Sequence, residues 1–120
     1  MSNHKQALGK WGEEKASAYL SGKGFHILAH NIRTPYGEID LIAQDGSTLV
    51  FIEVKTRTTK NFGNPEEAIT KKKLQHMIDS AESYMQELEE KKDWRLDVVA
   101  VEKDKNSNSV SIEHFENVNG

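Results

Sequence analysis

Two acidic residues and one lysine occupy positions of this sequence where a buried strand would normally carry apolar side chains. Asp40 lies between two large aliphatic residues, and Glu53 lies inside the most hydrophobic run of the chain, two residues before Lys55. Strand interiors disfavour Asp, and an unpaired buried carboxylate is costly. The three residues therefore indicate a site whose chemistry compensates for their placement.

The relative positions of these residues depend on strand geometry. Glu53 and Lys55 are two residues apart, so they share one face of their strand. If the turn before that strand is Gly46-Ser47, Asp40 faces Glu53 directly. If the turn is Asp45-Gly46, the two acids are diagonal neighbours on the same face. Both registers form one cluster, in which two carboxylates can share a divalent ion.

A third carboxylate is available from the first predicted helix. Glu13 lies at the edge of the apolar arc of that helix, whereas Glu14 points further toward water, so Glu13 is the better candidate. Three carboxylates and Lys55 are the parts of a metal-dependent phosphodiester hydrolase, which needs oxygen ligands for Mg²⁺ or Mn²⁺ and a cation near the attacking water. The chain has no cysteine, which excludes disulfides and thiolate metal sites.

Each of these residues also has a structural interpretation. Asp40, Glu53 and Lys55 can form an ion-pair network with no catalytic role. Glu13 can be an ordinary solvated residue at the edge of a helix.

The charge distribution bears on the substrate. The formal net charge of −3 is unusual for a nucleic-acid-binding protein. However, residues 55–73 carry six basic residues against two acidic ones, so this segment forms a basic strip although the net charge of the chain is negative. Arg57, Lys60 and Lys73 are candidates for phosphate contacts in this strip. The alternative is that the strip is a solvated surface.

The elements that position these residues follow from periodicity and turn signals. The chain is predicted to be a single α/β domain of 120 residues, in which two helices flank a mixed sheet. The helix over residues 65–92 is predicted to start after an Asn64 N-cap, with Pro65 in its first turn. The core spans about residues 4–115, and residues 116–120 are expected to fray. The order α-β-β-β-α-β-β is predicted over residues 4–23, 25–33, 38–43, 48–56, 65–92, 95–101 and 110–115.

Other features set the expected surroundings of the protein. No apolar run is long enough to span a bilayer, and the N-terminus lacks the apolar stretch of a signal peptide, so we expect a cytoplasmic protein without a membrane partner. Trp11 and Tyr84 fit apolar stripes and are expected to pack in the core. Arg95 and Asp97 are expected to form a structural pair.

The same residues carry a resemblance to a known family. An Asp followed after twelve residues by Glu-x-Lys resembles the PD-(D/E)xK nuclease superfamily, although Ile39 stands where the superfamily name has Pro. Residues 8–102 more specifically resemble the YraN-like uncharacterised family, which is grouped with archaeal Holliday-junction resolvases. The segments that carry this likeness are Gly9 to Glu14, Asn31-x-Arg33, Gly37 to Asp40, Glu53-Val54-Lys55-x-Arg57, Phe62-Gly63-x-Pro65 and Arg95-x-Asp97.

The resemblance implies a restriction-endonuclease-like core and a metal site formed by Glu13, Asp40 and Glu53, with Lys55 as a catalytic residue beside it. It also implies DNA rather than RNA as the substrate, including branched DNA, and a homodimer. The sequence therefore predicts a metal-dependent nuclease. The alternatives are a non-catalytic nucleic-acid-binding or adaptor protein with the same fold, and a protein-interaction module that uses the acidic helix around residues 82–90.

Overall fold

Every segment with a regular apolar pattern forms a helix or a strand in the computed structural model, which describes residues 4–58 and 69–119. The predicted order α-β-β-β-α-β-β and the mixed α/β class are confirmed. The elements are α1 (His4–Gly22), β1 (His26–Thr34), β2 (Gly37–Asp45), β3 (Thr48–Thr58), α2 (Lys71–Gln86), β4 (Trp94–Lys103) and β5 (Val110–Phe115).

The five strands form one sheet in the order β1-β2-β3-β4-β5. Neighbouring strands are antiparallel except β3 and β4, which pair in parallel from Leu49 and Trp94 to Thr58 and Lys103. Parallel strands need a crossover, and α2 lies in the segment that supplies it. The middle strands are the most apolar because a helix covers each face of the sheet.

The two helices bury separate cores on opposite faces. Ala16 and Leu20 of α1 pack in a cluster with side chains such as Val50, Ile52 and Val99. On the other face, α2 packs in a second cluster with side chains from β2, β3 and β4. That cluster contains Ile42, Leu49, Phe51, Met77, Ala81, Leu96 and Val98. Consecutive residues of β3 alternate between the two clusters, as the pleat requires.

Both predicted ends of the second helix need correction. The apolar stripe lies on a helix that begins at Lys71, and the Thr70 hydroxyl caps it by accepting a hydrogen bond from the Lys73 amide at 3.1 Å. The predicted Asn64 cap lies outside the described residues. The helix ends at Gln86 rather than at residue 92 because the amides of Glu87 and Leu88 donate to the carbonyls three residues back, those of Tyr84 and Met85, each at 3.1 Å, and this tighter turn ends the α-helical pattern.

The segment after β5, which is expected to fray, makes defined contacts up to Asn119. The Val118 amide donates to the Leu96 carbonyl at 2.8 Å, and the Leu96 amide donates to the Asn119 side chain at 3.1 Å. Hydrogen bonds therefore extend the ordered chain along the start of β4. Neither helix in the part of the chain that the structure describes is long and apolar enough to cross a membrane.

Candidate functional site

The β2–β3 hairpin sets the positions of the two predicted acids. Asp45 pairs with Thr48 and Leu41 pairs with Ile52, so the turn is Gly46-Ser47 rather than Asp45-Gly46. Gly46 has a φ of 62°, which glycine adopts without strain. The same register, extended by one residue beyond Leu41, places Asp40 opposite Glu53.

The Asp40 carboxylate contacts the backbone of β3. Its Oδ2 atom accepts a hydrogen bond from the Val54 amide at 2.8 Å. Burial is the largest influence on this carboxyl group, followed by repulsion from Glu53, and both outweigh the hydrogen bond. Repulsion from Glu13 adds to them, and the pKa of Asp40 rises from its usual 3.8 to about 7. Asp40 is therefore placed where negative charge accumulates.

Glu53 is buried, with 9% of its surface exposed, and two lysines approach one of its oxygens. Lys55 Nζ lies 3.5 Å from Glu53 Oε2, and Lys73 Nζ of α2 lies 3.0 Å from the same atom. Burial lowers the pKa of Lys73, but the hydrogen bond to Glu53 and the charges of Glu53 and Asp40 outweigh it and raise that pKa. Lys73 is therefore a cation at neutral pH.

Helix α1 carries the third acid, whose charge reaches Asp40. A Cβ atom at Gly12 would overlap the Thr56 side chain, so α1 can approach β3 this closely only with glycine at that position. The next residue, Glu13, is partly buried, and its charge acts on Asp40. Glu14 is exposed. The close contact at Gly12 therefore positions Glu13 rather than Glu14 near the hairpin acids.

The four residues of the predicted centre lie on three elements, and the charges of Glu13 and Glu53 both act on Asp40. Glu13 comes from α1, Asp40 from β2, and Glu53 and Lys55 from β3. Among the described residues, these three acids do not form a group whose ligand atoms all lie within 4.8 Å of one another. The oxygens of three carboxylates suit a hard divalent cation, and the two lysines offset only part of the negative charge. If these residues formed only an ion-pair network, the two ammonium groups of Lys55 and Lys73 would not balance the charges of the three acids.

The other predicted phosphate contacts have separate environments. Arg57 Nη2 lies 3.9 Å from Oε1 of the buried Glu102, so this arginine already faces a carboxylate. Lys60 lies outside the described residues. Lys73, which the sequence places in the basic strip, instead pairs with Glu53 inside the acidic cluster.

A cleft beside the acidic cluster contains residues that the sequence does not single out. Its volume is about 110 Å³, and Tyr36, His76 and Ser80 line it together with Glu53 and Lys73. One signal was available in the sequence, since an aromatic residue in a Pro-Tyr-Gly turn has no core to pack against.

The expected pair of Arg95 and Asp97 is part of a larger network. Asp97 is fully buried and lies 3.0 Å from Arg95 Nε and 2.7 Å from His114 Nε2. Burial raises the pKa of Asp97, but the hydrogen bonds to His114 and Arg95 outweigh it and hold that pKa below its usual value. One ligand atom from each of Asp97, His114 and Glu116 lies within 4.8 Å of the other two, which is close enough to hold a metal ion. Arg95 Nη2 lies 3.1 Å from Glu116 Oε1, so a guanidinium already supplies the positive charge there.

Comparison with known proteins identifies similar sequences that align with most of this chain and with most of their own length. Residues 12–101 match the family described as "Uncharacterised protein family UPF0102". A UPF0102 protein of Chlorobium limicola is 44% identical over 120 residues, which cover 96% of this chain and 93% of the relative. A UPF0102 protein of Sulfurihydrogenibium is 46% identical over 98 residues, covering 81% and 85%. One from Dehalococcoides mccartyi is 43% identical over 103 residues, covering 85% of each chain.

Proposed function

The chain belongs to the uncharacterised protein family UPF0102, and we propose that it is a metal-dependent nuclease that hydrolyses phosphodiester bonds of nucleic acid. DNA, including branched DNA, is the proposed substrate, and the fold is proposed to be the restriction-endonuclease-like core of the PD-(D/E)xK superfamily. The observation that carries the proposal is that the charges of Glu13 and Glu53 both act on the partly buried Asp40 carboxyl group, while Lys55 lies 3.5 Å from Glu53.

The donor set fits a hard divalent ion. Glu13, Asp40 and Glu53 offer only oxygen ligands, as Mg²⁺ and Mn²⁺ prefer. The raised pKa of Asp40 reflects burial and negative charge that the two lysines leave uncompensated. When bound, such an ion lowers the pKa of an attacking water and offsets charge on the phosphate oxygens.

The chain's own cations have distinct tasks in this proposal. Lys55 Nζ, 3.5 Å from Glu53 Oε2, is held beside the acids and can donate a hydrogen bond to the attacking water or to a phosphate oxygen. The attacking water loses a proton to solvent as its oxygen forms a bond to phosphorus, the bond to the leaving oxygen breaks, and that oxygen takes up a proton from solvent. Negative charge grows on the phosphate oxygens during this exchange. Lys73 adds a second positive charge on the same side of Glu53.

A cleavage assay tests the proposed activity. Branched, single-stranded and duplex DNA are incubated with Mg²⁺ or Mn²⁺ and with the wild type, Asp40→Asn, Lys55→Met or Glu14→Gln protein. We expect the first two substitutions to slow cleavage by about 100-fold or more, because each removes a group that acts on the transition state. Glu14 is exposed and serves as a matched acidic control on α1, with wild-type rates expected.

The alternatives predict different results. A non-catalytic binding or adaptor protein binds DNA but cuts none of the substrates, and cleavage that survives both Asp40→Asn and Lys55→Met comes from another site or a contaminant. A protein-interaction module shows no salt-sensitive DNA binding at all. A homodimer and a cytoplasmic location remain predictions, which sedimentation analysis and cell fractionation test.

A further inference from the structure

The cleft beside Glu53 and Lys73 has an aromatic wall. Tyr36 lines it and exposes 54% of its surface, whereas most large apolar side chains of residues 6–58 and 69–119 are buried or partly buried. An exposed aromatic ring next to a proposed phosphodiester site is placed to contact the substrate rather than the core.

Hydrogen bonds fix the turn that carries this ring. The Thr34 hydroxyl accepts a hydrogen bond from the Tyr36 amide at 3.1 Å and lies 2.8 Å from the Gly37 carbonyl oxygen. The same hydroxyl lies 3.0 Å from Oγ of the buried Ser80 on α2. The turn is therefore tied to the helix that carries Lys73, and the backbone at Tyr36 keeps its position relative to that helix.

Tyr36 borders two clefts, and the charges that line them differ. Lys73, which pairs with Glu53, and His76 both line the first cleft. Tyr36 also borders a second cleft, whose lining includes Asp79 and Glu82 and, among the described residues, no lysine or arginine. The second cleft therefore offers a phosphate backbone only repulsion, whereas the first offers Lys73 beside Glu38 and Glu53, so a strand that passes the ring meets a cation only on the side of the proposed cleavage site.

The size and chemistry of the first cleft suit one planar ring. Its volume of about 110 Å³ is somewhat smaller than a cavity of about 150 Å³ that holds benzene, so a single ring fits with part of it outside. Glu38 also lines the cleft and can accept a hydrogen bond from an exocyclic amino group. A base that is paired and stacked in a duplex cannot enter such a cleft.

We propose that this cleft binds an unpaired base, stacked on Tyr36, of a nucleotide adjacent to the phosphate at the acidic cluster. The preferred substrate is then DNA with unpaired nucleotides, such as single strands, flaps and open junctions, rather than intact duplex. This inference rests on the proposed nuclease function only for what happens to the adjacent phosphate, since base binding itself requires no cleavage.

The test uses a short single strand containing the fluorescent base 2-aminopurine, with Ca²⁺ in place of Mg²⁺ to avoid cleavage. We expect the wild type and Tyr36→Phe to quench the fluorescence, because both keep a ring on which the base stacks. Tyr36→Ala is expected to remove the quenching and to weaken single-strand binding by about tenfold, as loss of one base–aromatic stack does. Its affinity for intact duplex is expected to stay at the wild-type value.

Leu28→Ala is the matched control, since Leu28 is also exposed, at 51%, but lies on β1 outside the cleft. Equal losses on single strand and duplex, unchanged quenching in Tyr36→Ala, or no single-strand binding by the wild type would each overturn the inference. Cleavage that depends on Asp40 while Tyr36→Ala has no effect keeps the proposed function and removes the base cleft. Quenching that depends on Tyr36 without any cleavage does the reverse.

Discussion

Replacing Asp40 with Asn should make the metal-free protein more stable at neutral and alkaline pH. The amide oxygen of Asn can still accept the hydrogen bond from the Val54 amide, which is 2.8 Å long in the wild type. The substitution removes only the charge, which burial and repulsion from Glu53 oppose. The substitution therefore measures how far the charge of Asp40 lowers the free energy of unfolding.

The magnitude follows from the pKa of Asp40, which rises from 3.8 in the unfolded chain to about 7 in the folded one. Because the folded carboxyl group holds its proton more tightly, the wild type loses stability as pH rises from about 4 to about 7 and loses no more above that. Each pKa unit corresponds to about 1.4 kcal/mol, so the loss is at most about 4 kcal/mol. Asp40→Asn does not titrate, so its advantage is near zero at about pH 4 and largest near pH 8.

Urea unfolding with a chelator, at several pH values between about 4 and 8, measures this difference in the free energy of unfolding. Glu14→Gln, which removes an exposed acid from α1, should show no such pH-dependent gain. Adding Mg²⁺ should then stabilise the wild type but not Asp40→Asn, because only the wild type retains all three carboxylates. If Asp40→Asn is less stable than the wild type at pH 8, or if the difference is the same at every pH, the acids are not in electrostatic conflict and the reasoning is refuted.

Three further predictions concern Lys73 and Gly12, which lie next to the acids, and the ion pairs of Asp97. Lys73→Met should raise Mg²⁺ affinity about tenfold in calorimetry, because the ammonium 3.0 Å from Glu53 competes with the ion; unchanged affinity would contradict this. Gly12→Ala should cost about 1 to 3 kcal/mol in urea unfolding and weaken metal binding, since a Cβ there overlaps Thr56, whereas Gly9→Ala, which meets no atom within 4 Å, should cost nothing. Asp97→Asn should cost about 3 kcal/mol at pH 7, and this difference should shrink as pH falls below about 4, because the carboxyl group of the unfolded chain takes up a proton there while the ion pairs keep folded Asp97 charged; a constant difference would argue against the ion pairs.

Local sequence patterns were sufficient for the element order and for the hairpin acids. The two-residue turn and the alternation along β3 place Asp40 and Glu53 together in either register that the sequence allows, and the structure selects the Gly46-Ser47 turn. Glu13 needed only the helical period, because its position relative to the apolar arc separates it from Glu14.

Features that depend on the crossover between β3 and β4 could not be predicted in the same way. The contact between Lys73 and Glu53 joins two segments whose relative position is set by the packing of α2 on the sheet. The start of α2 was predicted wrongly because the Pro-Glu-Glu signal at residues 65–67 resembles a helix start more closely than the Thr70 cap does. Contacts of the C-terminal segment required a partner, Asp97, that is distant in sequence.

The Gly46-Ser47 turn restricts how the length of this chain can change over evolution or in engineering. One residue inserted there would shift β3 by one position and turn Glu53 and Lys55 to the opposite face, exchanging an apolar core for two charges. Insertions elsewhere, such as in the connection over residues 104–109 between β4 and β5, leave that alternation intact. Natural variants and designed insertions should therefore vary in length at such surface connections and keep the interval from Asp40 to Glu53 constant.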